Sequence, residues 1–159
     1  MHKILIFGNS GSGKSTLAIQ LCRERGLAHL DLDTLAWLPG NPPERKPLPE
    51  SQLAIEEFMS SNDTWVIEGC YGDLLDMAVP HADEVIFMNL PVPSCIENAR
   101  NRPWEPHKYA SREEQDGNLA MLIDWIAQYP TRQDVCSESA HRTLYDAFAG
   151  KKRMYTRNS

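Results

Sequence analysis

Gly8-Asn9-Ser10-Gly11-Ser12-Gly13-Lys14-Ser15 is the stretch of this chain whose residue types and spacing are best suited to chemistry. It fits the pattern G-x-x-x-x-G-K-[ST] at every position. Glycines permit positive φ and let the backbone wrap closely around a bulky anion. Successive N–H groups then converge as an anion nest, and a helix opening at Lys14 aims its positive end at the same point. Lys14 has the reach for β- and γ-phosphate oxygens. The Ser15 hydroxyl suits a magnesium ion, and Thr16 serves as a cap or on the α-phosphate side. The segment Gly8, Asn9, Ser10, Gly11, Ser12, Gly13, Lys14, Ser15 and Thr16 is thus expected to cradle ATP or GTP. A chance glycine-rich turn would need neither a buried strand before it nor an amphipathic helix after it, and the sequence predicts both.

Carboxylates suited to the same chemistry lie just after predicted strands, where open α/β sheets bind ligands. Asp31 and Asp33 follow the second strand and Glu68 the third. Phosphoryl transfer needs an acceptor held in place, often by a carboxylate that takes its proton. Asp33 is the first choice for that role and Glu68 its rival. Asp31 suits the waters of a metal ion. Asp33 can also be read as a helix cap, and Asp31 and Glu68 as solvated loop charges. In Glu68-Gly69-Cys70-Tyr71-Gly72, the glycines suggest either a close backbone approach to a ligand or a tight turn. Arg100, Arg102, Lys108 and Arg112 form a basic segment interleaved with Trp104, His107 and Tyr109. Such a segment reads as a lid around 102–112, with Arg102 as the cation that stabilises charge on the transferred group. Its plain alternative is a solvated surface with Trp104 anchored in the core.

Positioning these residues requires a sheet and its flanking helices. Lys3–Phe7 and Glu84–Leu90 are nearly all apolar, as expected of parallel strands buried on both faces. Ala28–Leu32 and Thr64–Ile67 complete the interior, and Lys152–Thr156 is an edge strand. Helices are predicted over Lys14–Arg25, Glu50–Ser60, Asp73–Val79, Pro93–Arg102 and Ser137–Ala149. Another runs from the capping box Ser111/Glu114 to about Tyr129. Trp37–Pro49 reads as a loop or irregular cap. Strands alternating with helices imply a parallel sheet covered on both faces.

With 159 residues, the chain fits one domain, 1–159. A net charge of -6 makes nonspecific nucleic-acid binding a poor default. No apolar run approaches the roughly 20 residues that span a bilayer, so a cytoplasmic protein with no membrane partner is expected. Cys22, Cys70, Cys95 and Cys136 form no Cys-x-x-Cys pair and read as small buried apolar residues. The histidines His29, His81 and His141 are isolated, so a metal site built from them is not expected.

The order of strand, Gly8–Ser15 loop, helix, Leu30-Asp31-Leu32-Asp33 and lid-like basic segment resembles the small P-loop kinases of the adenylate kinase and shikimate kinase group. The nearer likeness is to bacterial shikimate kinase-like and topology modulation protein-like chains. It is carried by Leu32-Asp33-Thr34-Leu35-Ala36-Trp37, by Pro39-Gly40 and by the strand end Trp65–Gly69, and it covers nearly the whole chain. The resemblance implies a three-layer P-loop NTPase fold with a five-stranded parallel sheet in the order 2-3-1-4-5. It also implies ATP and Mg2+, and an Asp31/Asp33 pair facing acceptor and metal. The leading reading is an ATP-dependent, Mg2+-dependent phosphotransferase for a small acceptor, shikimate kinase-like or nucleotide kinase-like. The alternative is a nucleotide-binding regulatory ATPase that acts through a protein partner. A nucleic-acid end kinase would need a basic groove beside the loop, which the acidic balance disfavours.

Overall fold

Strand β1 (Lys3–Gly8) lies at the centre of a five-stranded parallel sheet, because its side chains are apolar on both faces and can be covered from both sides. The computed structural model describes residues 2–40 and 44–158. The remaining strands of the sheet are β2 (Ala28–Asp31), β5 (Trp65–Gly69), β6 (Glu84–Met88) and β7 (Lys151–Tyr155). Their spatial order is β2-β5-β1-β6-β7, and every pairing is parallel. Counted within this sheet alone, that is the expected order 2-3-1-4-5. A two-stranded antiparallel ribbon, β3 (Trp37–Leu38) with β4 (Glu44–Arg45), stands apart from it.

Helices cover both faces, giving three layers. On one face α1 (Lys14–Arg25), α5 (Val92–Asn101) and α7 (Leu119–Ala127) pack over Ile4, Ile6, Val66 and Ile86. On the other, α3 (Leu48–Ser61), α4 (Gly72–Ala78) and α8 (Glu138–Ala147) pack over Leu5, Phe7, Ile67 and Phe87. The alternation follows from successive strand side chains pointing to opposite faces.

Several elements differ from expectation. The helix predicted from Ser111 to Tyr129 is two helices, α6 (Arg112–Gly117) and α7, broken at Gly117-Asn118. Glycine disfavours a helix interior, and the Asn118 side chain bonds back to the Glu114 carbonyl, 3.0 Å away. Ser111 caps α6 by accepting from the Glu114 N–H at 3.1 Å. The expected loop after Trp37 holds the β3–β4 ribbon, and residues 41–43 within it lie outside the described residues. A short helix, α2 (Asp33–Ala36), follows β2 directly. Glu68 and Gly69 belong to β5 rather than ending it.

Candidate functional site

The loop between β1 and α1 takes up the strained conformation its glycines allow. Gly11 and Gly13 hold φ of 77° and 91°, values that residues with a side chain rarely adopt. A Cβ at Gly13 would stand 2.6 Å from the amide nitrogen of Asn158. Helix α1 begins without a side-chain cap, so its first N–H groups, which have no intrahelical acceptor, remain available. Ser12 Oγ is buried and has no hydrogen-bond partner among the described residues. An uncapped helix start beneath left-handed glycines fits an anion with several acceptor oxygens.

Amide side chains brace this loop from outside. Asn98 on α5 donates to the Gly11 carbonyl at 2.9 Å and to the Asn158 side-chain oxygen at 2.7 Å. Asn158 in turn donates to the Ser12 carbonyl at 3.2 Å. Asn9, itself buried, donates to the Ile126 carbonyl at 3.1 Å. A carbonyl pinned outward turns the following N–H inward, toward the cradle. These braces come from distant parts of the chain and carry no local sequence signal.

Lys14 Nζ donates to the Asn9 carbonyl at 2.7 Å. Ser15 Oγ donates to Glu68 Oε2 at 2.7 Å, and His29 Nε2 lies 2.9 Å from the same oxygen. Register explains the meeting: Asp31 on β2 pairs with Glu68 on β5, so both side chains lie on the α1 face of the sheet. Glu68 is 2% exposed, and its partners offset the cost of burying a carboxylate. The hydrogen bond to Glu68 raises the His29 pKa, against the opposing effect of burial. Burial, then the charges of Glu68 and Asp33, raise the pKa of Asp31. Asp33 moves the other way. Burial pushes its carboxyl up, but the Lys108 ammonium, the Tyr71 hydroxyl and the Lys14 charge together bring it below its ordinary value.

Lys108 is the cation that the basic segment delivers. Its Nζ lies 2.8 Å from Asp33 Oδ2, 3.5 Å from Asp31 Oδ2 and 3.6 Å from Glu105 Oε2. Despite burial, Asp33 and Asp31 raise its pKa. Arg102 pairs with Glu105 Oε1 at 3.1 Å on the same loop, and Arg112 faces Asp116 on α6 at 3.8 Å. The loop is fixed by Gln115, which accepts from the Glu105 N–H at 2.8 Å and donates to the Pro103 carbonyl at 3.1 Å. Trp104 is 40% exposed and donates to the Tyr109 carbonyl at 3.1 Å, so it closes the loop on itself rather than anchoring in the core.

Opposite this loop, the Tyr71 hydroxyl donates to Asp33 Oδ1 at 2.6 Å and accepts from the Trp37 indole at 2.9 Å. The Arg45 guanidinium lies 5.0 Å from the Tyr71 ring centre and donates to both oxygens of Asp73 at 3.1 Å. Lys14, Ser15, Asp31, Asp33 and Glu68 therefore meet at the carboxyl ends of the strands, and Lys108, Tyr71, His29 and Arg45 join them. The glycines after Glu68 serve close packing within the chain. A Cβ at Gly69 would stand 2.8 Å from Leu32, and one at Gly72 would stand 2.7 Å from the Val135 carbonyl. The basic run Lys151–Arg153 lies along the sheet edge, where Arg153 pairs with Glu84 at 3.1 Å; from that end of the chain it is Asn158 that reaches the loop.

Among the described residues, no group of three His, Cys, Asp or Glu side chains can hold a metal ion. The donor set of one hydroxyl beside carboxylates fits Mg2+, which keeps several waters and takes ligands from phosphates. No helix among the described residues is long and apolar enough to cross a membrane.

A glycine-rich G-x-x-x-x-G-K-S loop joining the central strand to the first helix of this parallel sheet defines the P-loop NTPase fold. An unliganded sugar kinase from Janibacter sp. HTCC2649 is similar with a TM-score of 0.52 at 12% identity, covering 98% of this chain and 85% of that one. A gluconokinase from Sinorhizobium meliloti 1021 is similar with a TM-score of 0.51 at 16% identity, covering 92% and 93%. The chain belongs to the family of YqaC from Bacillus subtilis (strain 168), an uncharacterized protein 30% identical to it over a 143-residue alignment that covers 87% of this chain and 79% of that relative. No family model matches the chain.

Proposed function

We propose that the chain is a cytoplasmic, ATP-dependent phosphotransferase that moves the γ-phosphoryl group of ATP to a hydroxyl of a small acceptor, leaving ADP. The observation that carries this reading is the convergence of Lys14, Ser15, Asp31, Asp33 and Lys108 at one end of the sheet. A fold shared with sugar and gluconate kinases is consistent with it.

The loop amides and Lys14 hold the β- and γ-phosphates, Lys14 exchanging the Asn9 carbonyl for phosphate oxygens. Ser15, with Asp31 acting through waters, would hold Mg2+, which neutralises charge on the phosphates when bound. Asp33 is kept ionised by Lys108 and Tyr71, so it accepts the hydrogen bond of the acceptor hydroxyl and orients its oxygen for in-line attack. The proton leaves through this carboxylate as the new O–P bond forms. Glu68 stays committed to Ser15 and His29, a positioning role. The 102–112 segment acts as a lid. Lys108 provides its cation, and Arg102 holds Glu105, one of the Lys108 partners.

The test is Asp33→Asn. Phosphoryl transfer should fall at least about a hundredfold while the dissociation constant for Mg-ATP changes by less than about threefold. Unchanged turnover would remove Asp33 from the reaction.

A further inference from the structure

The charges around Asp33 bear on which acceptor the site takes. This inference rests on the phosphotransferase reading and on Asp33 marking the acceptor position. Asp31, Asp33, Glu68, Asp73 and Glu105 surround that position. The cations among them are Lys108, Arg45, Arg102 and, when protonated, His29 and His107, and each faces a carboxylate; His29 lies 2.9 Å from Glu68 and His107 3.9 Å from Glu105. Lys108 serves Asp33, Asp31 and Glu105. Arg45 is held by both oxygens of Asp73 and by the Ala36 carbonyl at 3.2 Å, with its face against Tyr71 and Trp37. Arg102 faces Glu105. Lys46 follows β4, and its backbone N–H donates to the Ala36 carbonyl at 2.8 Å. Lys14 is committed to the phosphates.

Among the described residues, with the two histidines neutral, the acceptor wall carries more negative than positive charge, and Mg-ATP adds further negative charge beside it. A carboxylate or phosphate on the acceptor would meet no cation of this set that lacks a carboxylate partner. Drawing Arg45 away would strand Asp73, half-buried, without its partner. Like charges brought together in this way are strongly penalised. Hydroxyl groups face no such penalty, because the carboxylate oxygens of the wall accept hydrogen bonds.

We propose that the acceptor is a hydroxyl compound bearing no anionic group: a sugar, polyol, nucleoside or amine-bearing analogue of these. Acceptors such as shikimate, gluconate and nucleoside monophosphates are excluded by charge, although one structural neighbour is a gluconokinase.

The experiment measures acceptor-stimulated ADP release with panels paired by charge. Glucose, glucosamine, inositol and nucleosides are set against gluconate, shikimate, glucose phosphates and nucleoside monophosphates. Binding of the same compounds is measured by calorimetry on protein loaded with Mg2+ and a non-hydrolysable ATP analogue. At least one uncharged or amine-bearing compound should stimulate release about tenfold or more, and every anionic partner less than about twofold. Stimulation by an anionic compound above its uncharged partner overturns the acceptor class and leaves the phosphotransferase reading standing. Binding of an uncharged compound with no turnover does the reverse. Neither binding nor turnover across both panels sinks both. In Asp73→Asn, which frees Arg45 and keeps an oxygen acceptor for the Leu74 N–H, the ratio of anionic to neutral kcat/KM should rise about tenfold. No change in that ratio counts against the proposal.

Discussion

Asp33 is the residue on which the chemistry turns, and its two oxygens are held by different kinds of donor. Tyr71 supplies a neutral hydroxyl, and Lys108 supplies a full positive charge. Lys108→Met should therefore raise the Asp33 pKa. The acid limb of the pH–rate profile, expected below the ordinary aspartate value in the native protein, should move upward in the variant. Its kcat should fall about a hundredfold, with nucleotide affinity much less affected. Arg102→Ala acts one step removed, through Glu105, so its kcat should fall less, though still more than nucleotide affinity. An acid limb that stays in place in Lys108→Met would show that the lysine does not govern Asp33. The positions of Asp31, Asp33 and Glu68 were legible in the sequence because residues at or just past the end of a predicted strand have only one end of the sheet to occupy. Lys108 was visible only as part of a basic run. Which cation of that run enters the site depends on the turn at Glu105–Tyr109, and the sequence favoured Arg102. Tyr71 and Arg45 carried no signal at all, because their roles arise from the β3–β4 ribbon folding over the start of α4.

At the scale of elements, α1 and the strands around the phosphate loop appear nearly as expected, since continuous apolar runs and a glycine-lysine motif constrain them strongly. The break between α6 and α7 was missed because the capping box marks where a helix starts and says nothing of where it stops. Braces between elements were the least legible feature. Asn98 on α5 and Asn158 after β7 reach the carbonyls of Gly11 and Ser12 through a continuous chain of amides. Asn98→Ala should weaken ATP binding about tenfold while leaving kcat at saturating ATP within a few-fold of native. Asn158→Ala should do the same, and the double variant should lose less than the two effects summed, because one network is broken twice. Unaltered ATP affinity in the single variants, measured by calorimetry, would mean that the loop holds its shape without them.

The whole molecule carries its own pH dependence, set away from the phosphate loop. His141 is fully buried beneath the sheet against Phe7 and Phe87. Its Nε2 lies 2.7 Å from the Cys70 carbonyl, so that nitrogen must donate, and Nδ1 accepts from the Tyr129 hydroxyl at 2.7 Å. Burial lowers its pKa to about 4. The neutral ring is therefore the folded form. The stability this gives is complete above the ordinary histidine value and is lost as pH falls through that value toward 4. Across the window it amounts to about 3 kcal/mol. Urea midpoints should decline over that range in the native protein and decline less in His141→Gln, which keeps a donor and an acceptor but takes up no proton. Parallel curves would remove His141 as the cause. In the sequence this histidine was simply isolated; only the packing of α8 on the sheet shows that it ties the strand end at Cys70 to the far layer.

The central claim is that the γ-phosphoryl group leaves ATP for an organic hydroxyl. Phosphorus NMR of the protein with Mg-ATP and pooled sugars, polyols and nucleosides reads the destination directly. The account predicts a new phosphate monoester resonance that grows as ATP is consumed and is absent in Asp33→Asn. Inorganic phosphate as the sole product, at the same rate with and without the pool, would contradict it and point to a regulatory ATPase.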